Sequence, residues 1–357
     1  MRAAPRLVAA LACLLALAAI LSACGGDSDS DDSTAGSESA ETRPAPPKSA
    51  FPSPEGRSLR EVLKAADGPA EVVVSPAALV FYEGQNRFPF GIFERDRTPI
   101  AGAEVALYFA KAPTFDAKSK AGDKGSAAQA QRQALDEPAV GPYPAAIETL
   151  VTQPAFRAKT TSDDPDAASV VYTTEVDFPD KGDWAVAALI KEDGETRGAL
   201  LSSIAVGEYG GVPRPGEKAP LIHTPTAEDA GGDLAQVTTR IPPDTQNQVD
   251  YADVLGKEPI VLLFATPQFC QSRVCGPVVD VAEQVKQEYG DEAAFIHMEI
   301  FNDNDPGKGP RPQVRAFNLP SEPWLFTIDR RGRVVAAVEG AFGVELLTAA
   351  VEKAVAR

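Results

Sequence analysis

Hydrophobic and polar positions change their spacing three times along this chain, and each change marks a boundary. An unbroken apolar stretch runs from Leu7 to Leu21, behind Arg2 and Arg6. Residues 25–56 then turn to Gly, Ser, Asp, Glu and Pro, with Pro44-Ala-Pro-Pro47 near the end. Such a stretch cannot bury enough apolar surface to offset chain entropy, so it reads as a disordered tether. Leu59, Val62, Leu63 and Ala66 follow at helical spacing. From 69 to 208 apolar residues partly alternate and are often β-branched or aromatic, predicting strands over 71–75, 78–82, 87–94, 103–110, 168–178, 183–192 and 197–206. Asp193-Gly194 is a hairpin signal between two of them. The stretch 112–167, rich in Ala, Lys, Gln, Asp and Pro, interrupts the pattern and reads as a long insertion, helical near 126–135.

A Pro/Gly-rich run over 209–220 marks a domain boundary. Beyond it strands alternate with helical segments: strand 259–265, helix 277–289, strand 293–301, helix 311–318, strands 324–329 and 333–339, helix 344–356. That order predicts a sheet with helices on its faces. The expected architecture is therefore multi-domain, with an N-terminal all-β, immunoglobulin-like sandwich over 57–208 and an α/β domain over 221–357.

Charge and composition narrow the chemistry. The 357 residues carry a net charge of −17, and −19 once Arg2 and Arg6 leave with a cleaved leader. So acidic a chain is not expected to bind nucleic acid or to dock electrostatically on a membrane. Only two histidines, His223 and His297, are present. No metal centre and no cofactor are expected. Residues 1–23 have the layout of a secretory signal. Leu21-Ser-Ala-Cys24 resembles the bacterial lipoprotein signal, which implies that Cys24 is lipidated and becomes the mature N-terminus. The 24–56 tether would then hold the folded part at the outer face of the cell membrane by a lipid anchor.

With Cys13 in the leader and Cys24 lipidated, two thiols remain, in Phe264-Ala-Thr-Pro-Gln-Phe-Cys270-Gln-Ser-Arg-Val-Cys275-Gly-Pro277. They follow an apolar run that reads as a buried strand and open an amphipathic helix. A cysteine at a helix N-terminus is acidified by the dipole and by unsatisfied N–H groups. Cysteines five apart cannot be bonded within one regular helix, so Cys270 is expected in the loop and Cys275 at the helix mouth. Gly276 is the expected N-cap, with Pro277 in the first turn. Arg273, between the thiols, is a candidate thiolate partner.

The C-terminal order resembles the thioredoxin fold over roughly 213–357. Gly216-Glu-Lys-Ala-Pro220 is similar to the lead-in of peroxiredoxins and of membrane-tethered thioredoxin-like (TlpA-like) proteins. The two cysteines lie between the first core strand and its helix. Leu319-Pro-Ser-Glu-Pro323-Trp resembles the segment whose cis-proline faces the active cysteine, which implies that role for Pro323. Two registers stay open. One, similar to the bacterioferritin comigratory branch of the peroxiredoxins, makes Cys270 reactive and Cys275 resolving, but the positions that should hold proline and threonine are Leu263 and Pro267. The other sets Cys275-Gly-Pro-Val278 against the thioredoxin Cys-Gly-Pro-Cys, with Cys275 the nucleophile.

The resemblance implies an extracytoplasmic thiol–disulfide oxidoreductase acting on protein clients through Cys270 and Cys275, with Pro323 beside them and a membrane redox partner. The alternatives are a non-catalytic binding or assembly lipoprotein with a structural disulfide, a peroxidase, and a copper chaperone using His297. Glu322, beside the expected cis-proline, would raise a nearby thiol or accept its proton.

Overall fold

The computed structural model describes residues 40–113 and 124–357, with Asp193 excepted. The expected leader, Cys24, and positions 24–39 and 114–123 lie outside the described residues. The described residues fall within one compact unit. In chain order its first part contains α1 (Leu59–Lys64), β1 (Gly68–Pro69), β2 (Val73–Pro76), β3 (Gly84–Phe93), β4 (Glu104–Lys111), α2 (Lys124–Ala134), β5 (Val140–Pro144), β6 (Ala146–Thr149), α3 (Lys159–Ser162), β7 (Val170–Phe178), β8 (Gly182–Glu192), β9 (Glu195–Leu200) and β10 (Ile204–Val206).

These strands make two facing sheets. One has the order β1-β9-β8-β4-β5 with β10 on β8, and the other β2-β3-β7-β6. Alternation decides what each face buries. On β4, Val105, Leu107 and Phe109 enter the space between the sheets, where Phe88, Phe90, Tyr172 and Phe178 meet them. Ala106, Tyr108 and Ala110 turn to the opposite face, covered by Leu59, Val62 and Leu135. The larger sheet is thus buried on both faces, which explains its near-continuous apolar strands.

Three sequence expectations change here. The tether is not free along its whole length: from Ala40 the chain is packed on the β-layer. Arg43 bridges to Ile147, Phe51 is buried, and Tyr108 Oη donates to the Pro52 carbonyl at 2.7 Å. One aromatic anchor and a few backbone bonds suffice where composition alone suggested none. Residues 78–82 are not a strand, because the Glu339 carboxylate accepts from the N–H groups of Leu79 and Val80 at 2.9 and 2.8 Å in place of a neighbouring strand. Two strands, β5 and β6, lie inside the 112–167 stretch; Pro142 and Pro144 hid the first from a pattern reading.

The second part holds α4 (Tyr251–Val254), β11 (Ile260–Phe264), α5 (Cys275–Tyr289), β12 (Ala294–Met298), α6 (Pro312–Ala316), β13 (Trp324–Ile328), β14 (Val334–Glu339) and α7 (Val344–Val355). Its sheet has the order β12-β11-β13-β14, with β11 and β12 parallel and β13 antiparallel to β11. The run Ile260–Phe264 is buried on both faces: Val261 and Leu263 pack towards α5 and α7, while Ile260, Leu262 and Phe264 pack towards Tyr251 and Phe317. Among the described residues no helix is long and apolar enough to cross a membrane.

The two parts share a core. Leu150, Ala168 and Val171 join the cluster that contains Cys270, Val274 and Cys275. A buried ion pair reinforces the contact. Arg240 Nε lies 2.9 Å from Asp280 Oδ1 on α5, with both side chains enclosed. Arg240 also donates to the Phe156 carbonyl, and the Ala158 N–H donates to Asp280 at 3.1 Å. Removing one member of such a pair strands the other charge. Asp280→Ala is therefore expected to cost about 3–5 kcal/mol in urea unfolding, far more than an exposed pair such as Lys308–Asp303.

Candidate functional site

The site is built at the C-terminal end of β11, where the buried strand runs out and the chain must turn into α5. Thr266 begins the turn: its carbonyl accepts from the N–H groups of Phe269 and Cys270 at 3.3 and 3.1 Å. Arg273 takes the left-handed conformation, φ 59°, and lets the chain reverse into the helix. The helix starts at Cys275 with Val274 as N-cap, two positions before the glycine expected to cap it. The reason is chemical. Cys270 Sγ accepts the Cys275 N–H at 3.3 Å, so a sulfur does the work of a capping oxygen. Gly276 serves close approach instead: a Cβ there would sit 2.9 Å from Thr161 Oγ1 of α3.

Both cysteines are free thiols and both are buried. Their environments push them apart. Cys270 is lowered to about 6, first by a hydrogen bond from the Cys275 thiol, then, against the cost of burial, by Ser272 and the N–H groups of Cys275 and Val274. Ser272 Oγ lies 3.2 Å from its sulfur. Burial pushes Cys275 well above the usual thiol range, and Cys270 and Glu322 reinforce this. Cys270 is thus the thiolate and Cys275 the protonated partner.

The Glu322–Pro323 peptide is cis, and the Pro323 carbonyl accepts from Gly340 N–H at 2.9 Å. Glu322 is raised to about 7, chiefly by burial and then by Cys270 and Glu299. It is a carboxyl able to exchange a proton near neutrality, and its charge is felt at Cys275 as that of Cys270 is felt by it. Arg273, the candidate thiolate partner, is engaged elsewhere. Its guanidinium lies 3.0 Å from Asp164, and its carbonyl accepts the Ala168 N–H at 3.1 Å. The 150–168 segment therefore clamps the loop between the two cysteines.

His297 is not near the sulfurs as a ligand. Its Nδ1 lies 2.9 Å from Asp244 Oδ2 and its Nε2 3.1 Å from the Ala265 carbonyl, so both ring nitrogens are engaged. Among the described residues no group of three or more His, Cys, Asp or Glu side chains is arranged to hold a metal ion. Sequence reasoning passed over the partners of His297. They come from Thr238-Thr-Arg240 and Asp244-Thr-Gln-Asn247, polar runs with no helical or strand period. Thr239 donates from its N–H and hydroxyl to Glu299, both at 2.7 Å, and its Oγ1 accepts the Gln268 N–H at 3.2 Å. Two short polar runs separated by Ile241-Pro242-Pro243 and flanked by apolar elements were the available signal.

No family model and no curated protein matches the chain. Among solved structures, a thiol:disulfide interchange protein of the thioredoxin family from Chlorobium tepidum TLS is 19% identical, over 40% of this chain and 97% of that one, with a TM-score of 0.29. A second, described as a putative thiol:disulfide interchange protein DsbE from Chlorobium tepidum, is also 19% identical, over 40% and 99%, at 0.27. A DUF4784 family protein from Bacteroides caccae is 13% identical over 39% of this chain and 24% of that one, at 0.18. The sheet order β12-β11-β13-β14 is read from the chain's own strand pairing.

Two outcomes follow for pH. Iodoacetamide modification mapped by mass spectrometry should reach Cys270 first, with a midpoint near about 6, and Cys275 only at much higher pH. His297 is raised to about 9 from 6.5, the pull of Asp244 outweighing burial, so its contribution to stability is full below 6.5 and is lost as pH rises through about 9. Asp244 is lowered to about 2 from 3.8, its bonds to His297 and Thr238 outweighing burial, so its contribution is full above 3.8 and is lost as pH falls through about 2. The gap in urea midpoint between wild type and His297→Gln should be widest between those limits and should close above about pH 9.

Proposed function

We propose that this chain is a thiol–disulfide oxidoreductase working through Cys270 and Cys275. The observation that carries the reading is the Cys270 sulfur held against the first N–H of α5, with a protonated second thiol in contact and an acid beside the cis-proline. A dipole end and two donors stabilise a sulfur anion without a metal or a base.

The steps balance as follows. The Cys270 thiolate attacks one sulfur of a target disulfide; a bond forms between Cys270 and that sulfur, and the other target sulfur leaves as a thiolate. Cys275 gives its proton to Glu322 and attacks Cys270 Sγ. The internal disulfide forms, and the second target sulfur leaves with its electron pair. Two electrons pass from the protein dithiol to the target. Run backwards, the same steps oxidise a target dithiol.

Of the two registers open in the sequence, the environments of the sulfurs favour Cys270 as nucleophile and Cys275 as resolving thiol. We include in the proposal a lipid anchor at Cys24, an extracytoplasmic location, protein clients, and a membrane redox partner. The β-layers are read as an immunoglobulin-like module that presents the client to Cys270. These parts rest on the sequence and on the placement of β7 and its neighbours against the cysteine loop.

The deciding measurement is the reduction potential of the Cys270–Cys275 pair in the purified protein, from glutathione and dithiothreitol equilibria. A value between about −120 and −270 mV is expected; one below about −300 mV marks a structural disulfide and overturns the reading. In the same protein Cys275→Ser should accumulate a mixed disulfide on Cys270. Cys270→Ser should form none, and exchange should fall to the uncatalysed background.

A further inference from the structure

The loop between the two cysteines is held from two sides. On the helix side, Cys270 Sγ accepts the Cys275 N–H at 3.3 Å. On the β-layer side, the Arg273 carbonyl accepts the Ala168 N–H at 3.1 Å, and the Arg273 guanidinium lies 3.0 Å from Asp164. Val274 packs with Ala168 and Val171 in one buried cluster. Asp164 is set by its own turn, where its Oδ1 accepts the Asp166 N–H at 3.0 Å. The clamp thus falls on the arc of chain that a Cys270–Cys275 disulfide closes.

Both thiols are free in this geometry. A covalent bond brings two sulfurs closer than unbonded sulfurs can lie, so one side of the arc has to move. The helix is poorly placed to give. Asp280 of α5 is bonded to Arg240 and to the Ala158 N–H, and a Cβ on Gly276 would already sit 2.9 Å from Thr161 Oγ1 of α3. The base of the loop is also fixed, with the Cys270 N–H on the Thr266 carbonyl and the Gln268 N–H on Thr239 Oγ1. What remains is Gln271, Ser272 and Arg273, all exposed. Their hold on the β-layer is one partly exposed ion pair and one backbone bond, weak beside a covalent bond between sulfurs. Oxidation also replaces the sulfur anion at the helix mouth by a neutral, poorer acceptor.

We propose that Asp164, Ala168 and Arg273 form a redox latch, closed on the dithiol and released when Cys270 and Cys275 bond. In the oxidising step the Cys270 thiolate and the Cys275 thiol give two electrons to a disulfide of the glutathione class. A sulfur–sulfur bond forms between the cysteines, and the oxidant leaves as one thiol and one thiolate. The latch makes the β-layer sense the state of the pair. Linkage makes the coupling reciprocal: whatever loosens residues 164–168 favours the disulfide by the same factor. The inference rests on the cysteine pair of the reading above but not on turnover or on clients.

The test compares the full protein reduced by dithiothreitol with the same protein oxidised by glutathione disulfide. Amide hydrogen exchange at Ala168 should be about fivefold faster in the oxidised form, while the Leu262 amide inside β11 exchanges alike in both. Equal exchange at Ala168 overturns the latch. A potential low enough to mark a structural disulfide would sink the exchange reading and leave the latch standing, since both states can still be prepared. A second arm uses Asp164→Asn, which keeps an oxygen for the Asp166 N–H and loses the charge facing Arg273. In glutathione equilibria its oxidation constant should rise about threefold over wild type, the size expected for a partly exposed pair. Asp303→Asn, which breaks the exposed pair with Lys308, should leave the constant unchanged. The iodoacetamide midpoint of Cys270 should stay where it is in Asp164→Asn. A constant that fails to rise shows no coupling, and one that moves together with that midpoint shows a charge effect on the sulfur; either overturns the proposal.

Discussion

An α-helix leaves its first N–H groups without partners, and something must answer them. At the head of α5 the answer is Cys270, a sulfur from outside the helix, since the N-cap Val274 makes no side-chain cap bond. Much of the site follows from that substitution of sulfur for oxygen. The donor bond requires Cys270 to fold back from the loop, which the left-handed turn at Arg273 permits. It brings the two sulfurs together without placing both in a regular helix. It also divides the pair electrostatically, one thiol ionised near the helix end and one buried and protonated behind it. Capping and reactivity are the same contact.

Around that contact the protein arranges support that is polar and almost wholly enclosed. The segment carrying Thr238 to Asn247 lies along β12, the outer strand of its sheet; Gln246 accepts the His297 N–H and Asn247 donates to the His297 carbonyl. An edge strand is thereby closed against pairing with another chain. The same segment reaches α5 through Arg240, the sheet through Asp244 and Thr239, and the cysteine loop through Gln268. Burying so many polar groups has a cost that is met only in part: Asp244, Thr238, Thr239 and Arg240 are bonded, while the Gln246 side-chain amide, Asn247 Oδ1 and Glu299 Oε2 are buried without a partner among the described residues.

The C-terminal part was legible in the sequence because its signals agree. Ile260–Phe264 is a short apolar run bounded by Pro259 and Pro267, and α5 and α7 carry helical stripes; the expected elements lie within about two residues of their places, except that β12 ends three residues early and the short α4 was not foreseen. The cysteines, Pro323 and Glu322 were legible as residue types in order. What the pattern could not give is contact between distant polar residues. Nothing in the spacing says that Asp244 meets His297, that Arg273 turns from the thiol to Asp164, or that Glu339 holds Leu79 and Val80. The β-layer was harder to read because its larger sheet is apolar on both faces, so alternation fades in strands such as β8. Its shorter strands carry prolines that mimic loop. The tether was misread at its far end because composition measures average burial, and one buried aromatic, Phe51, with a few backbone bonds anchors that segment.

The 209–220 run looks, in the chain, like the place where one body ends and another begins. The packing says otherwise. Leu150, Ala168 and Val171 fill the same core as Val274 and Phe342, and backbone of the β-layer lies so close to Gly340 and Gly343 that a Cβ there would come within 2.5 Å of the Ala77 carbonyl oxygen and 2.7 Å of that of Thr149. Cutting at the prolines would release two fragments with bare, greasy wounds rather than two modules. The linker joins halves in sequence, but it is not a seam in the solid body; the unit that folds, and that expression must deliver whole, is the pair.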